Sequence, residues 1–310
     1  MESDPLSSNL LKDPSACTLS AGDLEAVFLP ARGMLGASLR HKGVEILGRV
    51  ENLEDAAVKG STAGIPLLHP WANRLAQPEY NVQGRHVVLD ISSPLLHFDE
   101  HGLPIHGVPW SRLQWIVAER RPDFVAARLE WSAAALLTVF PFPHRLELTV
   151  AIQPGSLTLE TTLIAGSESP VPVSFGFHPY FHIPGLPRPN WHLELPAMRK
   201  LVLDSRGIPA DDEQPYQGFN GQLGESSFDE GFALIGERAS FSVSGATQRV
   251  SVDFLEGYSY AQVFAPKDKD YIALEPMTAP ANALASGRGL RLVPPGDRFC
   301  AVFRIGIGPL

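Results

Sequence analysis

The chain has 310 residues and a formal charge of −9, with 25 Lys and Arg against 34 Asp and Glu. That balance argues against nucleic acid as a partner, because a phosphate backbone rewards a clustered cationic face. At 44% hydrophobic and 19% charged, the chain has apolar side chains enough for a large core and too little charge for a disordered polymer.

Residues 1–16 read as a flexible or peripheral lead-in. The stretch opens with Glu2 and Asp4 and lacks the basic start and apolar run of a secretory signal, so the expected compartment is the cytoplasm. Cys17 and Cys300, near opposite ends of the chain, read as two unpaired thiols, too few for a disulfide framework or a metal site. An early strand is expected over 37–47 and a short helix over 53–59. Period-2 alternation then recurs over 86–91, 124–131, 145–152, 156–163, 191–195, 239–244, 249–254, 260–264 and 299–305, which predicts strands. Pro154-Gly155 between two of the clearest predicts a hairpin. The least charged segment, 170–187, carries five prolines and two histidines, which no ordinary spanning helix would hold, so no membrane partner is expected. Residues 183–190, with three prolines, read as a surface loop. No long amphipathic helix follows any strand, so parallel α/β folds fail. The expected architecture is all-β and mainly antiparallel, in one sandwich domain over 1–310.

Four stretches carry polar groups that a plain sandwich does not need. Gly64-Ile-Pro-Leu-Leu-His-Pro-Trp-Ala-Asn-Arg-Leu75 takes an irregular path through two prolines and Trp71 to Asn73 and Arg74. In His101-Gly-Leu-Pro-Ile-His-Gly-Val-Pro-Trp110, Gly107 lets another group approach closely beside His106. Phe175-Gly-Phe-His-Pro-Tyr-Phe181 sets His178 among aromatic rings, which suits a sugar face, a tuned proton donor or plain core packing. In the fourth, 271–284, Glu275 follows an apolar strand and precedes Pro276, expected to end it; a carboxylate there costs stability unless it is paired, exposed or functional. Asp229 reads in isolation as part of a solvated turn, and Gln262 as an exposed strand position. There is no P-loop, dinucleotide fingerprint, nucleophile elbow or H-E-x-x-H pair.

In order, Gly64-Ile-Pro…Pro70-Trp-Ala-Asn-Arg-Leu75, Ile105-His-Gly107, Phe140-Pro-Phe-Pro143, His178-Pro-Tyr-Phe181, Asp229 and Glu275-Pro-Met-Thr…Asn282-Ala-Leu284 resemble the aldose 1-epimerase (mutarotase) family over roughly residues 20–307. The resemblance implies a large antiparallel β-sandwich of the galactose mutarotase-like kind that interconverts the α and β anomers of a sugar with no cofactor and no metal. It assigns Glu275 as general base at the C1 hydroxyl and His178 as general acid at the ring oxygen. It makes Arg74, His106, Asp229 and Gln262 binders of the sugar. Asn73, Trp71 and Phe175 are placed at the pocket by their positions in the motifs, the two rings on its apolar side. Around His106 the chain has Gly107-Val-Pro-Trp110 where galactose-specific members carry a longer glycine-rich continuation, which sets it apart from them.

The residue types suit the reaction. Opening a cyclic hemiacetal needs a proton to leave the C1 hydroxyl while another reaches the ring oxygen, since either step alone leaves a high-energy ion. A carboxylate is ionised at neutral pH, and an imidazole can be held protonated by a neighbouring carboxylate. The preferred substrate is expected to be a neutral aldose, because a phosphate needs several converging cations and the motifs supply only Arg74, with Arg40 and Lys42 as possible additions. Three other readings stay open: a hexose-6-phosphate mutarotase, a glycoside hydrolase using Glu275 and Asp229, and a sugar-binding or sugar-sensing protein without catalysis. The oligomeric state is left open.

Overall fold

The computed structural model describes residues 12–245 and 247–309; most of the lead-in expected over 1–16 lies outside the described residues. Two large antiparallel sheets form the body of the protein. One runs Phe219–Gln222, His192–Leu195, Ala239–Ser244, Arg249–Glu256, Arg298–Gly308, Ser156–Ala165, His144–Gln153, Phe124–Trp131, Ile116–Arg121. The other runs Pro209–Tyr216, Met198–Leu203, Phe228–Ala233, Tyr260–Ala265, Ile272–Met277, Gly176–Phe177, Leu67–Leu68, with Tyr180–Phe181 pairing further along Ile272–Met277. A smaller sheet of Cys17–Ala21, Leu24–Leu29, Leu35–His41 and Val44–Glu45 packs against His144–Gln153.

Alternation is what builds the sandwich. Along His144–Gln153 every second residue is buried, and Leu146, Leu148 and Val150 join one core with Phe303 and Ile305 of Arg298–Gly308. The other sheet meets that core through Phe177, whose ring lies 5.0 Å from that of Phe303. Burying such side chains contributes about 1.5–3 kcal/mol each. The Pro154-Gly155 turn closes the expected hairpin, with Gln153 facing Ser156 and Gly155 at φ 75°. Helix Leu53–Lys59 stands where a short helix was expected, stopped by Gly60 in the left-handed conformation. Cys17 and Cys300 are both free thiols. No helix among the described residues is long and apolar enough to cross a membrane.

Four expectations need correction. The strand expected over 37–47 is a hairpin, because Lys42 and Gly43 both turn through positive φ between Leu35–His41 and Val44–Glu45. The strand expected over 86–91 ends at Val88, and Ile91 is exposed. The 183–190 segment is more than a surface loop: Ile183 and Arg188 are buried, and Arg188 donates to the carbonyls of Gly224, Ser226 and Ala265. Finally, Pro276 does not end its strand, which continues to Met277. A proline is tolerated there because the chain alongside pairs only in two short pieces, Gly176–Phe177 and Tyr180–Phe181.

Candidate active site

Register across the second sheet places the central groups. Gly176 faces Met277 and Tyr180 faces Ala273, so His178 falls opposite Glu275. On the other side Glu275 pairs with Gln262, and Gln262 with Gly231. Glu275 and Gln262 therefore project from one face of the sheet, while Leu274 and Val263 point into the core. Gly231 has no side chain to fill the row, and Gln262 reaches past it to donate from Nε2 to Asp229 Oδ1 at 2.6 Å. The expectation of an exposed Gln262 in a strand and Asp229 in a turn fails for that reason: both sit in sheet, and Gln262 is buried.

Two loops close over this row. Segments 69–75 and 104–108 run against each other, with His106 N donating to Asn73 O, Val108 N to His69 O and Leu75 N to Pro104 O, each at 2.9 Å. The approach is so close that a Cβ on Gly107 would lie 2.3 Å from His69 O, and Gly107 also has φ 66°. Asn73 and His106 both adopt positive φ, at 57° and 64°, and both side chains enter the cavity. Asn282, at the end of the Glu275 motif, ties the first loop down: its amide donates to Arg74 O at 2.7 Å and its Oδ1 accepts from Ala76 N at 3.0 Å.

The resulting cavity of about 200 Å³ is lined by Asn73, Arg74, His106, His178, Asp229, Gln262 and Glu275 from the sequence reading, joined by Arg49, Thr62, Asp99, Tyr180 and Phe264 among others. It is smaller than the roughly 300–1,000 Å³ typical of drug-sized pockets, a scale suited to a small polar ligand. Trp71 and Phe175 do not line it, and their expected place at the pocket is corrected. Both rings are fully buried in the core, Trp71 beside Tyr80 and Phe175 against Tyr258 and Phe299. They accompany the site residues because their backbones build the loops: Ala72 N and Thr278 N donate to Ser174 O and Phe175 O. Arg40 and Lys42 lie outside the cavity lining as well, and Arg40 lies 3.7 Å from Glu45.

Sequence reasoning missed Asp99, whose nearly buried carboxylate accepts from Arg74 Nε at 2.6 Å and from the amides of His101 and Leu103 at 2.9 and 2.8 Å. It also missed Arg49 and Tyr180. The tyrosine sat in a quoted motif, and its place two residues after His178 on an extended chain was the available signal.

His178 Nε2 lies 3.2 Å from Glu275 Oε1, with both side chains buried. Burial pushes the imidazole down to about 3, assisted by the Arg49 charge. Burial also pushes the Glu275 carboxyl well up, and the Asp229 charge adds to this while Arg74 opposes it. Burial therefore favours the neutral forms of both groups, with the proton on Glu275 and off His178. That differs from the expected resting imidazolium, because the cost of two buried charges outweighs the pull of the carboxylate. Burial holds His106 neutral, and it raises Asp229 against the pull of Arg74 and Gln262.

An antiparallel sandwich carrying a buried imidazole–carboxylate contact at a small polar cavity defines a class of protein that can hold and move protons on a small polar ligand. The chain belongs to the aldose 1-epimerase family, whose model, described as Aldose 1-epimerase, matches residues 17–306. Among solved structures, the Slr1438 protein of Synechocystis sp. PCC 6803 is 26% identical and aligns over 100% of both chains with a TM-score of 0.79. The galactose 1-epimerase of Lactobacillus acidophilus NCFM, at 14% identity, aligns over 94% of this chain and 93% of its own with a TM-score of 0.75, which shows the shared fold. The Escherichia coli K12 protein YihR, described as uncharacterized, is 23% identical over 304 residues, covering 93% of this chain and 92% of its own. The fold is galactose mutarotase-like, as the motifs implied.

Proposed function

We propose that the protein is an aldose 1-epimerase acting on a neutral aldose, without cofactor. The observation that carries this reading is the buried contact between His178 and Glu275 at the cavity formed by the two loops. Glu275 Oε2, buried and without a hydrogen-bond partner among the described residues, is the acceptor for the C1 hydroxyl proton. His178 Nε2 gives its proton to the ring oxygen. These transfers break the C1–O5 bond and leave an aldehyde at C1, a hydroxyl at C5, a neutral imidazole and a protonated carboxyl. Rotation about C1–C2 presents the other carbonyl face. Closure returns the proton from the C5 hydroxyl to His178 and the proton from Glu275 to O1, giving the other anomer and the starting charges.

Burial favours the neutral pair at rest, so the proton passes from Glu275 to His178 across their 3.2 Å contact as the sugar binds, and ring opening restores the neutral forms. Arg74, His106, Asn73, Asp229 and Gln262 supply donors and acceptors for ring hydroxyls. The choice of a neutral sugar rests on charge. Arg74 is already engaged by Asp99 at 2.6 Å and faces Glu100 at 3.8 Å, and Asp229 adds a carboxyl to the cavity. Arg49 alone does not make the convergent cationic site that a phosphate needs.

The test is anomer exchange followed by NMR for glucose, galactose, xylose and glucose 6-phosphate at matched concentration. Preference for a neutral aldose supports the proposal. Preference for the phosphate, lost on charge removal at Arg49 or Arg74, points to a hexose-6-phosphate mutarotase. Binding without exchange points to a sugar-binding protein, and release of reducing sugar from a glycoside to a hydrolase.

A further inference from the structure

Residues 46–49 are strapped along Tyr180–Phe181. Leu47 bridges Phe181, Gly48 N donates to Tyr180 O at 3.0 Å, and His182 N donates to Ile46 O at 3.1 Å. At position 48 a Cβ would lie 2.7 Å from Tyr271 Cβ and 3.5 Å from Tyr180 Cβ, so only glycine lets the backbone press against both tyrosines. Arg49 then leaves with φ 57°, a left-handed conformation that arginine seldom adopts. Its guanidinium comes to rest over two rings, 5.1 Å from the centroid of Tyr180 and 5.7 Å from that of Tyr271, and Nη1 donates to Tyr180 Oη at 3.3 Å. Among the described residues no carboxylate pairs with it, whereas Arg74 on the other side of the cavity has Asp99 and Glu100.

Tyr180 passes this arrangement on to His178. The rings stack at 4.3 Å and 23°, and Tyr180 Oη lies 3.3 Å from His178 Nε2 and 2.6 Å from Thr62 Oγ1. Three fixed contacts hold the tyrosine hydroxyl, and the tyrosine ring in turn fixes the plane of the imidazole.

We infer that, given the mutarotase chemistry above, Arg49 and Tyr180 are positioning residues for the acid: Tyr180 keeps His178 Nε2 turned toward the sugar, and the uncompensated Arg49 charge drives the shared proton off His178 toward the ring oxygen. The charged and titratable groups facing His178 are Glu275, His106, Tyr180 and Arg49. Glu275 favours the imidazolium, whereas His106 and Tyr180 are held neutral by burial. Arg49 is the fixed positive charge beside the imidazole, while Asp229 and Arg74 act with opposite signs on Glu275. A cation beside the pair lowers the pH at which the pair gains its second proton and the pH at which it loses its only one, so both limbs of the activity profile lie lower than they would without it.

The experiment follows His178 by NMR titration of the ¹⁵N-histidine-labelled full chain, assigned by loss of its signal in His178→Gln, together with the pH dependence of kcat/KM for anomer exchange with glucose. In Arg49→Gln both limbs and the imidazole titration are expected to move up by roughly half a pH unit or more. Arg49→Lys, which keeps the charge, leaves them near their wild-type places. Tyr180→Phe is expected to leave the limbs in place and lower kcat by roughly tenfold with little change in KM, part of what a positioned general acid contributes. Arg49→Met, which keeps the apolar stem, serves if Arg49→Gln does not fold. Titration and limbs unmoved in the uncharged variant overturn the inference even if the rate falls, since a merely structural role lowers the rate without moving them. An equal shift in Arg49→Lys overturns it too. Absence of exchange in the wild type on every aldose counts against the functional reading, while the titration still decides the role of Arg49.

Discussion

Asp99→Asn separates the orientation of Arg74 from its mere presence. The Asp99 carboxylate accepts three hydrogen bonds, from Arg74 Nε at 2.6 Å and from the amides of His101 and Leu103. An asparagine can keep its oxygen toward the two loop amides, but its NH₂ then faces the Arg74 N–H as donor against donor. Losing a charge-assisted hydrogen bond costs about 1.5–3 kcal/mol, and leaving one member of a buried ion pair alone costs about 3–5 kcal/mol. Arg74 keeps some solvent contact and can turn toward Glu100, so the lower range applies. The variant should therefore unfold about 2 kcal/mol more easily in urea. Because Arg74 is then free to leave the cavity, where the proposed function has it bind the sugar, KM should rise by about tenfold or more while kcat changes less. Urea melts and initial-rate kinetics measure the two effects. A variant as stable as the wild type with unchanged KM would refute the assignment of Asp99 as the anchor of Arg74.

Gly107→Ala should cost several kcal/mol and lower Tm by roughly 5 °C or more, because its Cβ would lie 2.3 Å from His69 O at a positive φ; a differential scanning calorimetry trace matching wild type would contradict this. Phe175→Leu should lose about 1–2 kcal/mol of stability without changing KM, since the ring packs in the core and not on the sugar, and a KM change in a fully folded variant would restore it to the pocket. On acidification, stability should fall as pH drops below about 6.5, because burial holds His69, His106 and His144 below their unfolded value, His144 at about 4, so the unfolded chain takes up more protons. His178, lowered by burial, adds to this effect, and Asp229 and Glu275, raised by burial, work in the opposite sense; the four imidazoles outnumber the two carboxyls, so urea midpoints rising from pH 6.5 to 5 would contradict the account. Exhaustive chelation should leave activity unchanged, because no group of three His, Cys, Asp or Glu side chains among the described residues is placed to hold a metal ion; activity lost to a chelator and restored by one divalent ion would overturn this.

The strands were legible where one face meets the core, as in 124–131, where period-2 alternation and the observed strand coincide. They were less legible where the chain is buried on both faces or lies at an edge: Ile272–Met277 is buried throughout, and the length of that strand past Pro276 depends on a break in its neighbour. Asn73, Arg74, His106, His178 and Glu275 were visible as residues that a sandwich does not need, Asp229 and Gln262 came only from the family resemblance, and the structure brings all seven to one cavity. Trp71 and Phe175 misled because a motif records everything that builds a loop, core anchors included. Arg49 and Asp99 were hidden because their meaning is tertiary. One is a lone arginine aimed by a positive φ and a neighbouring glycine, the other an aspartate whose partner lies 25 positions earlier.

The most direct test of the account is anomer exchange catalysed by wild type and Glu275→Gln, measured by NMR on the best aldose of the panel, with sugar binding measured in parallel. The amide keeps the shape of the carboxyl and removes its basicity. The account predicts that the wild type accelerates exchange well above the spontaneous rate, and that the variant binds the sugar but turns it over about 10²-fold more slowly or worse. Exchange at the wild-type rate in Glu275→Gln would remove Glu275 from the chemistry and contradict the central claim.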